Sequence, residues 1–197
     1  DTLGADFSRL VALQPFEKIR AAVGDRPIHN MLDVGTGTGR MLTLLADRYG
    51  RAVGIDMSHD MLSVARANLA AAHVDHAHVR QGDVTALAAG ASFDMVVIHQ
   101  VLHYLDDPAR ALKEAAGTLV PGGRLLIVDF APHAHEFLRS DHAHRRLGFS
   151  HEQMRGWIEA AGLELTLVRD LPPDEPDGLT VSLFLATDRR LEIASAA

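Results

Sequence analysis

Acidic side chains stand at the ends of three successive apolar runs, and closely spaced glycines follow the first run. Asp33 precedes the glycine-rich stretch 35–39, Asp56 ends the next run, and Asp83 follows the third. A carboxylate is unfavourable beside a pyrophosphate and favourable beside a cation. The third glycine of a dinucleotide fingerprint would stand at position 40, where this chain has Arg40. These residues predict a site for a ligand that carries positive charge near the glycines.

The second and third acids suit the two halves of a nucleoside. A carboxylate at the position of Asp56 can accept hydrogen bonds from both hydroxyls of a ribose. Asp83 can accept one from the amino group of adenine. A tight turn alone would also need glycines, and each acid alone could be a cap or turn residue. The ordered series of three acids favours the ligand site.

A second group of candidates follows the fourth apolar run, in the stretch His99-Gln100-Val101-Leu102-His103-Tyr104. His99 and His103 are four residues apart, so on a helix they would share a face, as in a zinc motif. That motif needs Glu at its second position, and the residue is Gln100. Imidazole titrates near neutral pH, so His103 is the candidate general base, with Tyr104 as the alternative. A packing or capping role for the two histidines is the other reading.

Histidines are also frequent in residues 133–146, after the fifth run. His135 and His142 are seven apart and could share a helix face. The segment is either a solvated helix or lid, or a substrate cap in which His142, Arg145 or Arg146 holds an anionic acceptor.

Short β-branched runs alternate with helical segments, which predicts a parallel sheet flanked by helices. Asp107 and Ser150 are expected N-caps, and Gly162 is the expected residue after the second of these helices. Leu163, Leu165 and Leu167 alternate with polar residues, and residues 180–186 follow as a strand without an intervening helix. These last two strands are therefore expected to be antiparallel. In each predicted helix the apolar residues recur at helical spacing and form one apolar stripe. The first stripe is Leu112, Ala115, Ala116 and Leu119, and the second is Met154, Trp157, Ile158 and Ala161. Near the amino terminus, Phe7, Leu10 and Val11 form a stripe before Pro15, and Phe16, Ile19, Ala22 and Val23 form one after it.

The composition is that of a folded domain. Of 197 residues, 47% are hydrophobic, and 19 basic against 26 acidic residues give 19 − 26 = −7. No apolar run reaches the roughly 18 residues of a membrane span. Zero cysteines exclude disulfides and thiolate sites. The negative charge argues against direct nucleic-acid binding. We expect a cytoplasmic protein without a membrane partner, and because it starts at Asp1, a processed or excised chain.

At these motifs the sequence closely resembles the class I S-adenosylmethionine-dependent methyltransferases. The likeness covers roughly residues 26–188, and its segments are residues 33–39, 53–56, 81–83, 93–97 and 119–125. The resemblance implies a Rossmann-like α/β fold with a seven-stranded mixed sheet, order 3-2-1-4-5-7-6, strand 7 antiparallel and helices on both faces. Residues 1–25 are then a helical segment or lid, 26–188 the S-adenosylmethionine-binding domain, and 189–197 a tail.

The same resemblance implies roles for individual residues. Asp33 and the glycine loop would face the methionine part of the cofactor, Asp56 the ribose, Met57 one face of the adenine, and Asp83 the adenine amino group. The complete set of predicted cofactor residues is Asp33, Gly35, Thr36, Gly37, Gly39, Asp56, Met57, Asp83, Val84, His99 and Gln100. No metal is predicted, and the product would be S-adenosylhomocysteine.

Two sequence features that are absent narrow the class of methyl acceptor. The Asn/Asp-Pro-Pro-aromatic sequence of enzymes that methylate exocyclic amines of bases is absent, and so are the cysteines of cytosine-C5 and arsenite methyltransferases. A small-molecule acceptor is the first hypothesis. Residues 99–104 and 129–148 are similar to methyltransferase domains fused to ArsR-type winged-helix regulators. The alternatives are therefore a non-catalytic sensor of S-adenosylmethionine or S-adenosylhomocysteine with a winged helix upstream, and, less favoured, a methyltransferase for nucleic acid delivered by a partner. A homodimer is a further partner hypothesis.

Overall fold

A computed structural model describes residues 16–87, 90, 92–173 and 178–190, and a single twisted sheet runs through it. The strands are β1 (Ile28–Val34), β2 (Tyr49–Asp56), β3 (Ala77–Gln81), β4 (Phe93–His99), β5 (Leu119–Phe130), β6 (Leu163–Leu171) and β7 (Val181–Asp188). The helices are α1 (Phe16–Val23), α2 (Arg40–Leu44), α3 (His59–Ala71), α4 (Pro108–Gly117), α5 (Phe137–Asp141) and α6 (His151–Ala160), with a 3-10 turn at Leu102–Tyr104.

The seven strands are ordered β3-β2-β1-β4-β5-β7-β6. β7 is antiparallel to both β5 and β6, while the pairs from β3 to β5 are parallel. This confirms the predicted fold class, including the antiparallel closing strand. The order changes direction between β1 and β4, the point at which an open α/β sheet binds its ligand beyond the carboxyl ends of the strands.

Each face of the sheet is covered by its own apolar cluster. On one face, Ile19 of α1 and Met41 of α2 pack with Met31 and Val97 of the sheet. On the other face, Leu112 of α4 and residues of α6 pack against the alternate side chains of β4 and β5. Buried parallel strands read as continuous apolar runs for this reason, and the helices lie on both faces as expected.

The predicted helix caps are confirmed, and one residue of a predicted apolar stripe lies outside its helix. The Asp107 carboxylate accepts from the backbone N–H of Arg110 at 3.0 Å, and Ser150 Oγ accepts from that of Gln153 at 3.1 Å. Gly162 has a φ of 84° after α6. Leu119, however, belongs to β5 and not to the α4 stripe, because the helix ends at Gly117 and the chain turns directly into the strand.

The first helix of the described residues, α1, contains Phe16, Ile19, Ala22 and Val23 of the predicted stripe. Phe7, Leu10 and Val11 lie outside the described residues. The carboxyl-terminal side of β7 is fixed by Arg190, which pairs with Asp188 and donates to the Leu119 carbonyl at 2.6 Å. No helix in the described part of the chain is long and apolar enough to cross a bilayer.

Candidate functional site

The candidate residues lie together at one edge of the sheet, where the parallel strands have their carboxyl ends. Asp33 stands opposite Gly54 and Val97 near the ends of β2 and β4, and His99 stands opposite Val128 of β5. Asp56 is the last residue of β2. Chain segments that are far apart in sequence thus meet at the predicted place.

The glycine loop between β1 and α2 is built from left-handed backbone. Gly35, Gly37 and Gly39 have φ values of 71°, 52° and 78°, which L-residues with a Cβ seldom adopt. A Cβ on Gly35 would stand 2.3 Å from a methyl carbon of Val101, whereas one on Gly37 would meet nothing within 4 Å. Gly35 is therefore needed for packing, while the backbone at Gly37 faces open space and can approach a ligand.

Asp33 lies beneath this loop and is buried. Its Oδ2 accepts a hydrogen bond from the Thr36 hydroxyl at 2.6 Å. Burial raises the pKa of Asp33 to about 7, opposed by that hydrogen bond and reinforced by the nearby charge of Asp56. A carboxylate that is costly to ionise alone is stabilised when a cation arrives.

Asp56 connects the glycine loop to the start of α3. One carboxylate oxygen accepts from the backbone N–H of Gly37 and the other from that of Ser58, each at 2.9 Å. Next to it Met57 is 64% exposed, which is high for an apolar side chain. A carboxylate held from two sides beside an uncovered thioether can bind the polar and apolar parts of a nucleoside.

Asp83 and Val84 follow β3 on the same edge. Asp83 is exposed, and its Oδ1 accepts from the Thr85 N–H and hydroxyl at 2.7 and 2.8 Å. These two hydrogen bonds lower the pKa of Asp83. Val84 is buried in the core cluster beneath. The turn thus presents the carboxylate while the valine anchors it.

His99 and Gln100 end β4, and α1 covers them. His99 Nε2 and Gln100 Nε2 are buried without a hydrogen-bond partner among the described residues. Burial lowers the pKa of His99 to about 4. The Phe16 ring centroid lies 6.4 Å from that of His99, and the Arg40 guanidinium lies 4.1 Å above the same Phe16 ring. Phe16 therefore closes one side of the glycine loop.

The expectation that His99 and His103 share a helix face is wrong. His99 terminates a strand, and His103 belongs to a 3-10 turn after a break at Gln100, whose φ is 55°. In the described parts of the chain, no three His, Asp or Glu side chains are placed to hold a metal ion.

His103 forms a buried pair with Asp129 of β5. Its Nδ1 lies 2.7 Å from Asp129 Oδ1, and both side chains are 1% exposed. The ring of Tyr104, 41% exposed, lies against it with a centroid distance of 4.1 Å. His144 packs on His103 from another side at 4.2 Å. The candidate base is held by a carboxylate and enclosed by rings.

The histidine-rich segment is fastened to the same turn. The His103 carbonyl accepts from the backbone N–H groups of Arg145 and Arg146 at 2.9 and 3.2 Å. Arg145 also pairs through its side chain with Asp106 at 2.5 Å. The segment is therefore held against the 3-10 turn that follows β4.

The expected helix shared by His135 and His142 is not formed, since α5 spans only Phe137–Asp141 and both histidines flank it. The His142 ring is 6.3 Å from the Phe137 ring in an edge-on arrangement. Phe137 is exposed at the surface of the segment. His135 and His142 therefore lie outside the helix at opposite ends of it, because the helix is only five residues long.

Three residues of this site were missed by sequence reasoning, namely Asp129, His144 and Phe16. A signal for Asp129 existed, because it stands near the end of an apolar run just as Asp33 and Asp56 do. His144 stands in the histidine-rich segment and Phe16 in a helical stripe, but neither pattern indicates the ring contacts that these residues make across the fold.

Known proteins resemble this chain over its central half. Residues 32–127 match the family model of a methyltransferase domain. A trans-aconitate 2-methyltransferase from Deinococcus radiodurans is 33% identical over 135 residues, which is 68% of this chain and 47% of that protein. The matched part spans about a third to a half of the first curated relatives.

Solved structures share the fold over most of the described chain. A protein from Bacillus halodurans C-125, described as a candidate methyltransferase, superimposes with a TM-score of 0.78 at 19% identity, covering 90% of this chain and 99% of that one. An S-adenosylmethionine-dependent methyltransferase from Aquifex aeolicus gives 0.73 at 21% identity, covering 91% and 92%.

Proposed function

From the premise that the chain has the fold of the class I S-adenosylmethionine-dependent methyltransferases, we propose that it transfers a methyl group from S-adenosylmethionine to a small-molecule acceptor. The match of residues 32–127 to a methyltransferase domain supports the same proposal. The observation that carries the proposal is the edge formed by Asp33, Asp56 and the open backbone of Gly37. It offers carboxylates and close backbone approach, which a cationic nucleoside requires.

Different residues are proposed to bind different parts of the cofactor. In this proposal Asp33 stabilises the cationic methionine part beside the glycine loop, and Asp56 accepts hydrogen bonds from the ribose hydroxyls. Met57 is uncovered beside them and can lie against an adenine ring. Asp83 keeps one carboxylate oxygen outside its turn hydrogen bonds. When bound, the cofactor would supply an electrophilic methyl group on a positively charged sulfur.

The acceptor side is assigned to the end of β4 and the segment over it. In this proposal His103 removes the acceptor proton, with Tyr104 at the exposed entrance, because methyl transfer is an in-line displacement that mainly needs alignment and a proton acceptor. His142 and Arg145 remain proposed contacts to the acceptor. A winged-helix domain upstream, a homodimer and a cytoplasmic location remain predictions.

Calorimetry and turnover test the function together. We expect S-adenosylmethionine and S-adenosylhomocysteine to bind, and NAD to give no heat. Tritiated methyl groups from S-adenosylmethionine should then appear on a component of a metabolite mixture. Binding without transfer to any fraction would favour the sensor, and titration by the dinucleotide alone would refute the cofactor.

Cofactor affinity should depend on the protonation of Asp33. Its pKa of about 7 means that below pH 7 a proton occupies the carboxyl, so a cation must displace it. We expect the Kd for S-adenosylmethionine to increase as the pH falls from 8 to 6, by up to about tenfold per unit below pH 7. Asp33→Asn should weaken binding at pH 8 and flatten this slope, measured by calorimetry.

The pH dependence of folding stability in the ligand-free protein gives an independent control. Stability should fall with rising pH, whereas cofactor affinity should rise. A carboxyl with a raised pKa binds its proton more tightly in the folded than in the unfolded chain. Asp33 should therefore destabilise the fold as pH rises from about 4 to 7, and Asp33→Asn should reduce that loss in thermal melts. Equal slopes in both proteins would show that Asp33 does not titrate in this range.

A further inference from the structure

The pairing of His103 with Asp129 favours one position for the imidazole proton. His103 Nδ1 lies 2.7 Å from Asp129 Oδ1, which also accepts from the Phe130 N–H at 2.8 Å, while Oδ2 accepts from the Leu102 N–H at 3.0 Å. A carboxylate with this geometry favours the tautomer in which His103 Nδ1 carries the proton and donates it to Oδ1. A neutral His103 then has its lone pair on Nε2.

That lone pair has no partner in the described part of the chain. His103 Nε2 is buried and forms no hydrogen bond there. Buried polar atoms are nearly always satisfied, and an exception needs an explanation. A ligand that donates a hydrogen to Nε2 would provide one.

The surroundings of His103 favour a planar ligand. Its ring is packed by Tyr104, His144 and Phe130, at centroid distances of 4.1, 4.2 and 4.9 Å. Of these rings Tyr104 is the exposed one, so we place the approach of a ligand to Nε2 on the Tyr104 side. Aromatic faces pack well against flat rings.

The other imidazoles nearby do not compete for this role at neutral pH. Burial lowers the pKa values of His99, His133 and His144 to about 4, so all three are weak bases. His103 lies beside the Asp129 carboxylate, which can stabilise a positive charge on its ring.

We infer that the methyl acceptor is a hydroxyl on a planar ring that donates its O–H to Nε2 of His103, and that Asp129 is the positioning residue that fixes this tautomer. The inference rests on the methyl transfer proposed above. In the step, the acceptor oxygen bonds to the methyl carbon, the methyl–sulfur bond breaks with its electron pair on sulfur, and the hydroxyl proton moves to Nε2. The imidazolium that results lies beside the Asp129 carboxylate.

Two other acceptor classes fit this arrangement less well. A carboxylate would bring its lone pairs against that of Nε2 with no proton between them. An ammonium group would bring a second cation into a site that already receives the sulfonium, at a high desolvation cost. Compared with these two classes, the position of the lone pair favours a neutral O–H donor.

NMR of the unmodified protein tests the tautomer without any variant that must fold. In protein labelled with ¹⁵N-histidine and saturated with S-adenosylhomocysteine, we expect His103 to carry its proton on Nδ1. Adding catechol, as a ring-hydroxyl probe, should shift the unprotonated Nε2 resonance. A proton on Nε2 in the neutral ring, or no shift with catechol, would overturn the inference.

Asp129→Asn tests the positioning role by kinetics. With catechol as acceptor we expect kcat to fall about 100-fold or more, the acid limb of the pH profile to change, and the Kd for S-adenosylmethionine to stay within twofold. The matched control is Asp170→Asn, which removes the carboxylate from a second His–Asp pair, where His151 lies 2.8 Å away, and should leave kcat within twofold.

The outcomes separate the two proposals. Efficient transfer to trans-aconitate or ethanolamine, with none to catechol, would overturn the hydroxyl acceptor and leave methyl transfer intact. Absence of both binding and turnover of S-adenosylmethionine would instead refute the proposed function. An unaltered pH profile and kcat in folded Asp129→Asn would show that Asp129 has only a structural role.

Discussion

Replacing Asp56 with Ala is expected to weaken S-adenosylmethionine binding by on the order of 1–3 kcal/mol, roughly 5- to 150-fold in Kd. The carboxylate would lose its proposed ribose hydrogen bonds, and it would also release the N–H groups of Gly37 and Ser58 that it now holds at 2.9 Å. Both losses act on the same edge of the site. Calorimetry with S-adenosylhomocysteine, the unreactive product, gives the affinity directly.

The control for this variant is Asp60→Ala. Asp60 is exposed in the first turn of α3, four residues farther along the chain (60 − 56 = 4), and forms no part of the proposed site. It should bind within twofold of the unmodified protein. Asp56→Asn, which keeps one acceptor oxygen, should lie between the two. Unchanged affinity in Asp56→Ala, with a normal melting curve, would refute the ribose assignment.

Gly35→Ala is expected to lower the free energy of unfolding by about 2–4 kcal/mol. The added Cβ would stand 2.3 Å from a methyl carbon of Val101, and the φ of 71° is unfavourable for alanine. The loop that carries Thr36 and Gly37 must move to relieve the contact. Chemical denaturation measures the loss, and binding should weaken with it because the loop holds the proposed cofactor contacts.

A double variant separates the two causes. Val101→Ala removes the contacting methyl groups, so Gly35→Ala/Val101→Ala should recover the part of the loss due to the clash and keep the part due to φ, about 1 kcal/mol. Gly37→Ala provides the contrast, because its Cβ would meet nothing within 4 Å. It should cost little stability beyond its φ of 52° and should still impair binding. Equal stability losses at both glycines would contradict this division.

The grouping of Asp33, the glycine loop and Asp56 at one edge of the sheet could be predicted from the sequence because its signals are local. A strand end, a glycine loop and an acid at the strand end are encoded within a few residues, and parallel strands bring their carboxyl ends together in any doubly wound sheet. The strand order followed from resemblance to a known family. The antiparallel final pair followed from two strands joined without a helix.

Only the tertiary structure showed the pairing of His103 with Asp129. His103 and Asp129 are 26 residues apart and meet because β4 and β5 pair in a particular register, which no local pattern encodes. The two expected helical histidine pairs failed because a break at Gln100 and a five-residue α5 replaced the regular helices that the spacing assumed. Spacing fixes neighbours only within one regular element, whereas contacts between elements depend on packing of the whole sheet.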